Sequence, residues 1–281
     1  MLPPLSPRTS SLIVAALVLV SVVLALLPAT DETGQAHVDE ALRRALVGFA
    51  LARGLNGVIS VAQGTEVAVQ PAGVGVNFAP GQVLDPINDL VERFSWIMLL
   101  ASSSLGVQKV LLSMSAWQGL LVALVVAGGL YLGARHLGAS PRLRVALQRV
   151  FLFLLLLRFM MPAIAVANDW VYRAFLEADY VAASATLERA RETIGDINEE
   201  VATERRAEAP PQGLIDRAQR LYRDALASVD IDARLDEYRA AAETISESTI
   251  RLIVVFLMQT LVFPLLFLYV VVGLLRRLLR R

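Results

Sequence analysis

An arginine inside an otherwise apolar run is the most chemically loaded position in this chain. Arg158 lies in VFLFLLLLRFMMPAIAVA, residues 150–167, nine residues from Arg149 and ten from Asn168. A guanidinium in hydrocarbon costs at least ~2.5 kcal/mol on insertion scales, so it needs a partner or a task. No Asp or Glu lies in this run or in the three other long apolar runs of the chain. Gln259, in LIVVFLMQTLVFPLLFLYVVVGLL at 252–275, is the polar side chain expected at a similar depth. Pro162 frees the carbonyl of Arg158, and Pro264 frees that of Thr260. Two roles follow for Arg158 and Gln259. They form an anion-attracting polar layer between two membrane helices, or a buried Arg is satisfied by carbonyls and Gln259 and fixes helix packing. A single Arg without charged companions favours packing over a pathway.

Other residue types that could do chemistry do not assemble into a site. Glu66, Asp85, Asp89 and Glu92 have the spacing of helix caps and solvated faces, and no histidine accompanies them. His37 and His136 fall on opposite sides of the membrane in the topology below, so they share neither a metal nor a triad. Ser102, Ser103 and Ser104 near Lys109 resemble a Ser-Lys nucleophile, but no oxyanion donor or third group is identifiable, and serines at helix contacts explain them. Gly129 and Gly133 form a GxxxG, a sign of close helix packing. There is no cysteine, which excludes disulfides and thiolate chemistry. No phosphate loop, haem motif or nucleic-acid motif is present, and the formal net charge is zero. The sequence therefore predicts no catalytic residue, no cofactor, no metal and no nucleic-acid partner.

What must position Arg158 is a set of membrane helices. The chain is 56% hydrophobic with a mean hydropathy of +0.58, in the range of integral membrane proteins. Four runs have the length to span: 12–27, 117–133, 150–167 and 252–275. Arg135, Arg142, Arg144 and Arg149 lie between the second and third runs, Arg276, Arg277, Arg280 and Arg281 follow the fourth, and Arg8 precedes the first. If all four cross, every one of these groups is cytoplasmic, as positive-inside asymmetry requires. The predicted organisation is a signal anchor (1–30), an outer region (31–115), a span (116–134), an Arg-rich cytoplasmic loop (135–149), a span (150–167), a second outer region (168–250), a span (251–275) and a basic tail (276–281). Both termini are then cytoplasmic. The first run has a competing reading as a cleaved signal peptide, against which Leu27 is a poor residue three positions before a cut. The run 96–112 is read as an interfacial or re-entrant helix, because a fifth span there would reverse the charge asymmetry.

The outer regions are helical with one exception. Val38, Leu42, Ala45, Phe49, Ala52 and Ile59 form an amphipathic stripe, and Leu84, Ile87, Leu90, Val91, Phe94 and Ile97 form another. Asp85 before Pro86 reads as the N-cap of the second. Between them, TEVAVQPAGVGVNFAPGQ alternates with period two around a Pro-Ala-Gly turn and predicts a β-hairpin at 65–82, which needs a surface to pack on. In the second outer region Leu187, Ile194 and Val201 recur every seven residues, and Leu221, Leu235 and Ile245 carry the pattern after Pro210 and Pro211. Two long helices joined there make an antiparallel stalk in coiled-coil style. The fold class expected is mainly α, with four transmembrane helices, a coiled-coil hairpin outside the membrane and one small β-hairpin.

The block ARGLNGVISVAQGTEVAVQPAGVGVNFAPGQVLDPINDLVERFSW, residues 52–96, resembles a segment of an uncharacterised family of inner-membrane proteins from Gram-negative bacteria. That resemblance implies location in the bacterial inner membrane and supplies no activity. The sequence expectation is a non-enzymatic scaffold or accessory subunit whose partners are the bilayer and either further copies or a membrane or periplasmic protein. The alternative is an oligomeric channel or transport component that uses Arg158.

Overall fold

A computed structural model describes residues 7–64, 67–69, 76–78, 83–207 and 214–280. Helix α1 spans Pro7–Leu26, α2 Ala29–Gln63, α3 Asp85–Ser115, α4 Gln118–His136, α5 Pro141–Val171, α6 Glu177–Ala207, α7 Leu214–Leu257 and α8 Phe263–Arg280. Two π-helical segments interrupt the longest runs, Tyr172–Leu176 between α5 and α6 and Met258–Val262 between α7 and α8.

The expected β element shrinks to two three-residue segments. Val67–Val69 (β1) pairs antiparallel with Val76–Phe78 (β2), with Val67 opposite Phe78 and Val69 opposite Val76. The remainder of 65–82 lies outside the described residues. Three residues a side do not form a layer, so the fold is helical rather than mixed.

Among the described residues, five helical stretches are long and apolar enough to cross a membrane: Asp31–Gln63, Asp85–Ser115, Gln118–His136, Pro141–Glu200 and Asp236–Gly273. This makes the chain a multi-pass membrane protein by helix length and composition. The count differs from the sequence expectation in a definite way. The predicted span 12–27 lies in α1 and is apolar over Leu12–Leu26, and α2 and α3, read as outer helices, both also reach spanning length. The amphipathic stripe near 84–97 and the run 96–112 are one uninterrupted helix, α3. Asp85 is in its first turn and not its cap, and its carboxylate accepts a hydrogen bond from Gln63 Nε2 at 2.7 Å.

The chain divides into two compact units, with boundaries inside helices. One comprises Met1–Arg43, Ser103–Ala174 and Gln259–Arg281. Its core is Val18 and Ala25 of α1, Leu124, Ala127 and Tyr131 of α4, and Phe151 of α5. Tyr131 and Phe151 stack with ring centroids 6.4 Å apart. Helices α4 and α5 form a hairpin whose turn is locally encoded. Gly138 has a φ of 75°, which a glycine adopts without strain, and the Ala139 N–H reaches back to the Ala134 carbonyl at 3.1 Å. Ser140 then caps α5 through the Leu143 N–H, with Pro141 at the first helical position. A smaller cluster joins Val38, Leu112 and Ala165.

The other unit comprises Arg44–Ser102 and Phe175–Met258. Here α6 and α7 pack antiparallel: Tyr180 meets Phe256 edge-on, and the Tyr238 hydroxyl donates to Asn198 Oδ1 at 3.4 Å. The buried positions of α6, Ala183, Leu187, Ala190, Ile194 and Ile197, alternate at four- and three-residue steps. So do Tyr238, Ala242 and Ile245 on α7. Of the six predicted seam residues, Leu187, Ile194 and Ile245 are fully buried, while the side chains of Val201, Leu221 and Leu235 lie outside the described set. Helix α2 adds Leu55 and Ile59 to this core and α3 adds Phe94 and Met98. Gly48 lets α2 approach closely, since a Cβ there would stand 3.0 Å from Met98 Sδ. Asn198 Nδ2 donates to the Val58 carbonyl at 2.9 Å and ties α6 to α2.

Candidate functional site

The site around Arg158 begins with a break in the chain's first helical run. Pro28 has no N–H, so α1 ends at Leu26, with the Leu27 N–H turning back to Leu24. The Pro28 carbonyl then accepts from Asp31 and Glu32 N–H groups at 3.0 and 3.1 Å and starts α2. A break of this kind leaves the last carbonyls of α1 without helical donors. It also sets a negative helix end beside a positive one.

Arg158 of α5 fills that gap. Its Nε and Nη2 donate to the Ala25 carbonyl at 3.3 and 2.9 Å. Its Nη1 and Nη2 donate to the two carboxylate oxygens of Asp31, at 2.5 and 2.7 Å, in a bidentate fork. The cation therefore caps the C-terminus of α1 while Asp31 sits in the first turn of α2, each at the end its charge suits. Arg158 is 1% exposed. The predicted partner, Gln259, makes no hydrogen bond to it; Asp31, at the start of the predicted outer region, takes that place. Pro162, one turn on, is where α5 meets α2. A Cβ on Gly34 would lie 3.5 Å from Pro162 Cα and 3.4 Å from the Leu112 side chain.

Gln259 belongs to a second buried layer. In the i to i+5 bonding of the π-helical segment, its carbonyl would take a hydrogen from residue 264, and Pro264 has none. Asn168 Nδ2 supplies it at 3.0 Å. The expectation that Pro264 frees Thr260 thus shifts by one residue, because the helix has changed register. Gln259 Oε1 and Asn168 Oδ1 are both buried and have no hydrogen-bond partner among the described residues. Next to Asn168, buried Asp169 accepts from Arg173 Nε at 2.7 Å and lies 3.2 Å from His37 Nδ1.

The remaining sequence candidates are dispersed. Lys109 pairs with Asp39 at 2.6 Å, and the Ser102 hydroxyl is bonded to the Met98 carbonyl of its own helix, so neither is poised for nucleophilic chemistry. Gly129 and Gly133 face open space; the glycine that packs inside the chain is Gly128, whose added Cβ would meet Phe151 at 3.2 Å and Val18 at 3.3 Å. No group of three or more His, Cys, Asp or Glu capable of holding a metal occurs among the described residues. Glu66 lies outside them.

Asp31, Asp169 and Arg173 are the participants that sequence reasoning missed, and His37 was weighed only with His136. A usable signal existed for Asp31. It stands three residues after Pro28, and an enclosed Arg requires an acid from some helix end. No protein-family model, curated protein or solved structure matches the chain.

Proposed function

We propose that the chain is a non-enzymatic scaffold or accessory subunit of the bacterial inner membrane, with α1, α4, α5 and the run 251–275 across the α7–α8 junction as its four spans and both termini cytoplasmic. In this reading the paired helices α6 and α7 form a coiled-coil stalk on the periplasmic side, the short β pair packs as a docking element, and the stalk serves protein interaction or self-association. The observation that carries it is the state of Arg158. An anion-attracting constriction presents positive charge to a water-filled path, whereas this guanidinium is enclosed and neutralised by a carboxylate and a carbonyl. It locks three helices together instead. The charges on α2 and α3 support an aqueous setting for these two helices despite their length: Glu40 and Arg43 pair on an exposed face, and Asp39 pairs with half-exposed Lys109.

The deciding experiment is extraction in mild detergent followed by mass measurement and identification of co-purifying proteins. A reproducible partner or a defined oligomer is expected. A lone monomer overturns the scaffold reading. Reconstituted protein should show no conductance with either Arg158 or Arg158→Leu, and a charge-dependent anion current would move the assignment to a channel.

A further inference from the structure

Between α6 and α7 runs a groove of about 560 Å³ that the packing within this unit leaves uncovered. Its floor is mostly small side chains, Ala190, Ala240 and Ala241 with Thr186, Thr193 and Thr244, beside Ile197. The threonines contribute methyl groups more than hydroxyls. Each Oγ1 donates to a carbonyl of its own helix, Thr186 to Ala182, Thr193 to Arg189 and Thr244 to Ala240, at 2.8–3.0 Å. The floor is therefore apolar and shallow, the shape that accepts the ridge of another helix.

Its rim is acidic. Asp196, Glu200 and Glu237 line one end, all exposed, and none pairs with a cation among the described residues. Among the described residues, one cation, Arg189, also lines the groove. Arg189 folds back onto the Ala185 carbonyl and the Thr186 hydroxyl at 3.2 Å each, and Arg239 pairs with Asp236. The three carboxylates are not arranged to hold a metal. A second copy of this chain is a poor occupant. Copies inserted the same way in one membrane present the same residues at the same height, so acidic rim would oppose acidic rim.

We infer that this groove docks a cationic amphipathic helix of a different protein, with apolar residues at i, i+3, i+4 and i+7 in the groove and Lys or Arg against Asp196, Glu200 and Glu237. The inference rests on the scaffold reading and names its partner's chemistry.

The test uses the full chain in nanodiscs of neutral phosphatidylcholine. The probe is a fluorescent helical peptide with Leu at those spacings and Lys on both flanks, compared with its twin carrying Glu for every Lys; empty nanodiscs report binding to lipid. The Lys peptide should bind the wild type and the Glu peptide should not. Glu200→Lys with Glu237→Lys should weaken Lys-peptide binding about tenfold or more, and Ala241→Trp, which fills the floor, should weaken it too. Glu243→Lys, outside the groove, should leave it unchanged. Circular dichroism confirms that each variant stays helical; if the double reversal unfolds, Glu200→Gln with Glu237→Gln replaces it and must weaken binding in the same direction. Failure of the Lys peptide to bind, or binding indifferent to rim and floor, overturns the inference. So does a disulfide-linked dimer through Thr193→Cys, which would identify a second copy as the occupant. Partner recovery is scored on the same preparation. A recovered partner with a silent groove removes the inference alone, whereas no partner and no oligomer removes the scaffold reading beneath it.

Discussion

Arg158 and Asp31, 127 residues apart in the chain, meet in a bidentate ion pair at 2.5 and 2.7 Å while the same guanidinium holds the Ala25 carbonyl. One side chain thus splints the two helix ends that Pro28 separates. The arrangement answers both costs of the break, an unpaired carbonyl and a pair of opposed helix dipoles, with a residue that apolar surroundings would otherwise exclude.

A double-mutant cycle tests the splint. Asp31→Ala strands a buried cation and should cost about 3–5 kcal/mol of stability. Arg158→Leu removes that cation, so Asp31→Ala with Arg158→Leu should be more stable than Asp31→Ala alone. Thermal unfolding in detergent, followed by size-exclusion fluorescence, measures all four proteins. Strictly additive effects would mean that the pair carries no coupling.

The second layer yields a rescue. Asn168→Ala leaves the Gln259 carbonyl without its donor and should cost about 0.5–2 kcal/mol, the span of interhelical hydrogen bonds in membranes. Pro264→Ala restores a backbone N–H at the position that bonding across the π-helical segment requires. The double variant should recover part of the loss, read as melting temperature. No recovery would show that the side-chain bond to that carbonyl is incidental.

Adjacent glycines of α4 should behave oppositely. At Gly128 an added Cβ already stands 3.2 Å from Phe151, whereas at Gly129 it meets nothing within 4 Å. Gly128→Leu should destabilise the chain by about 1–3 kcal/mol through overpacking, and Gly129→Leu should leave the melting temperature of the monomer unchanged. Similar losses in both would contradict the assigned rotation of α4.

Within the α6–α7 unit, Ile194 is fully buried and Glu199 is exposed. Ile194→Asp places an unpaired charge in the core and should open both helices to protease, while Glu199→Ala should match wild type. Limited proteolysis in intact spheroplasts compares them. Equal cleavage would refute the buried seam.

Orientation is tested in the cysteine-free chain. Cysteines introduced by Gln212→Cys, Ser140→Cys and Ser6→Cys should divide, with only the first reacting with an impermeant thiol reagent from outside. Labelling at 140 from outside would invert the topology.

Much of the helical architecture was legible because its signals are local. Leu187 and Ile194, seven residues apart, are buried, as is Ile245, and apolar length marked α4, α5 and the α7–α8 junction. The turn from Gly138 to Pro141 likewise encodes its own geometry through a left-handed glycine and a serine cap. The sequence also showed that Arg158 needed a partner, since a bare guanidinium in the middle of an apolar run is costly. The partner itself was decided by tertiary structure. Gln259 matched Arg158 in sequence-estimated depth, but it lies in the π-helical segment before Pro264, where its backbone carbonyl accepts from Asn168. Asp31 became the counterion because the break at Pro28 delivers both an acid and an open carbonyl to one face of α5. Periodicity is set by neighbours a few residues apart and can be read along a line, whereas an ion pair spanning 127 residues depends on how helices pack, which no local pattern encodes.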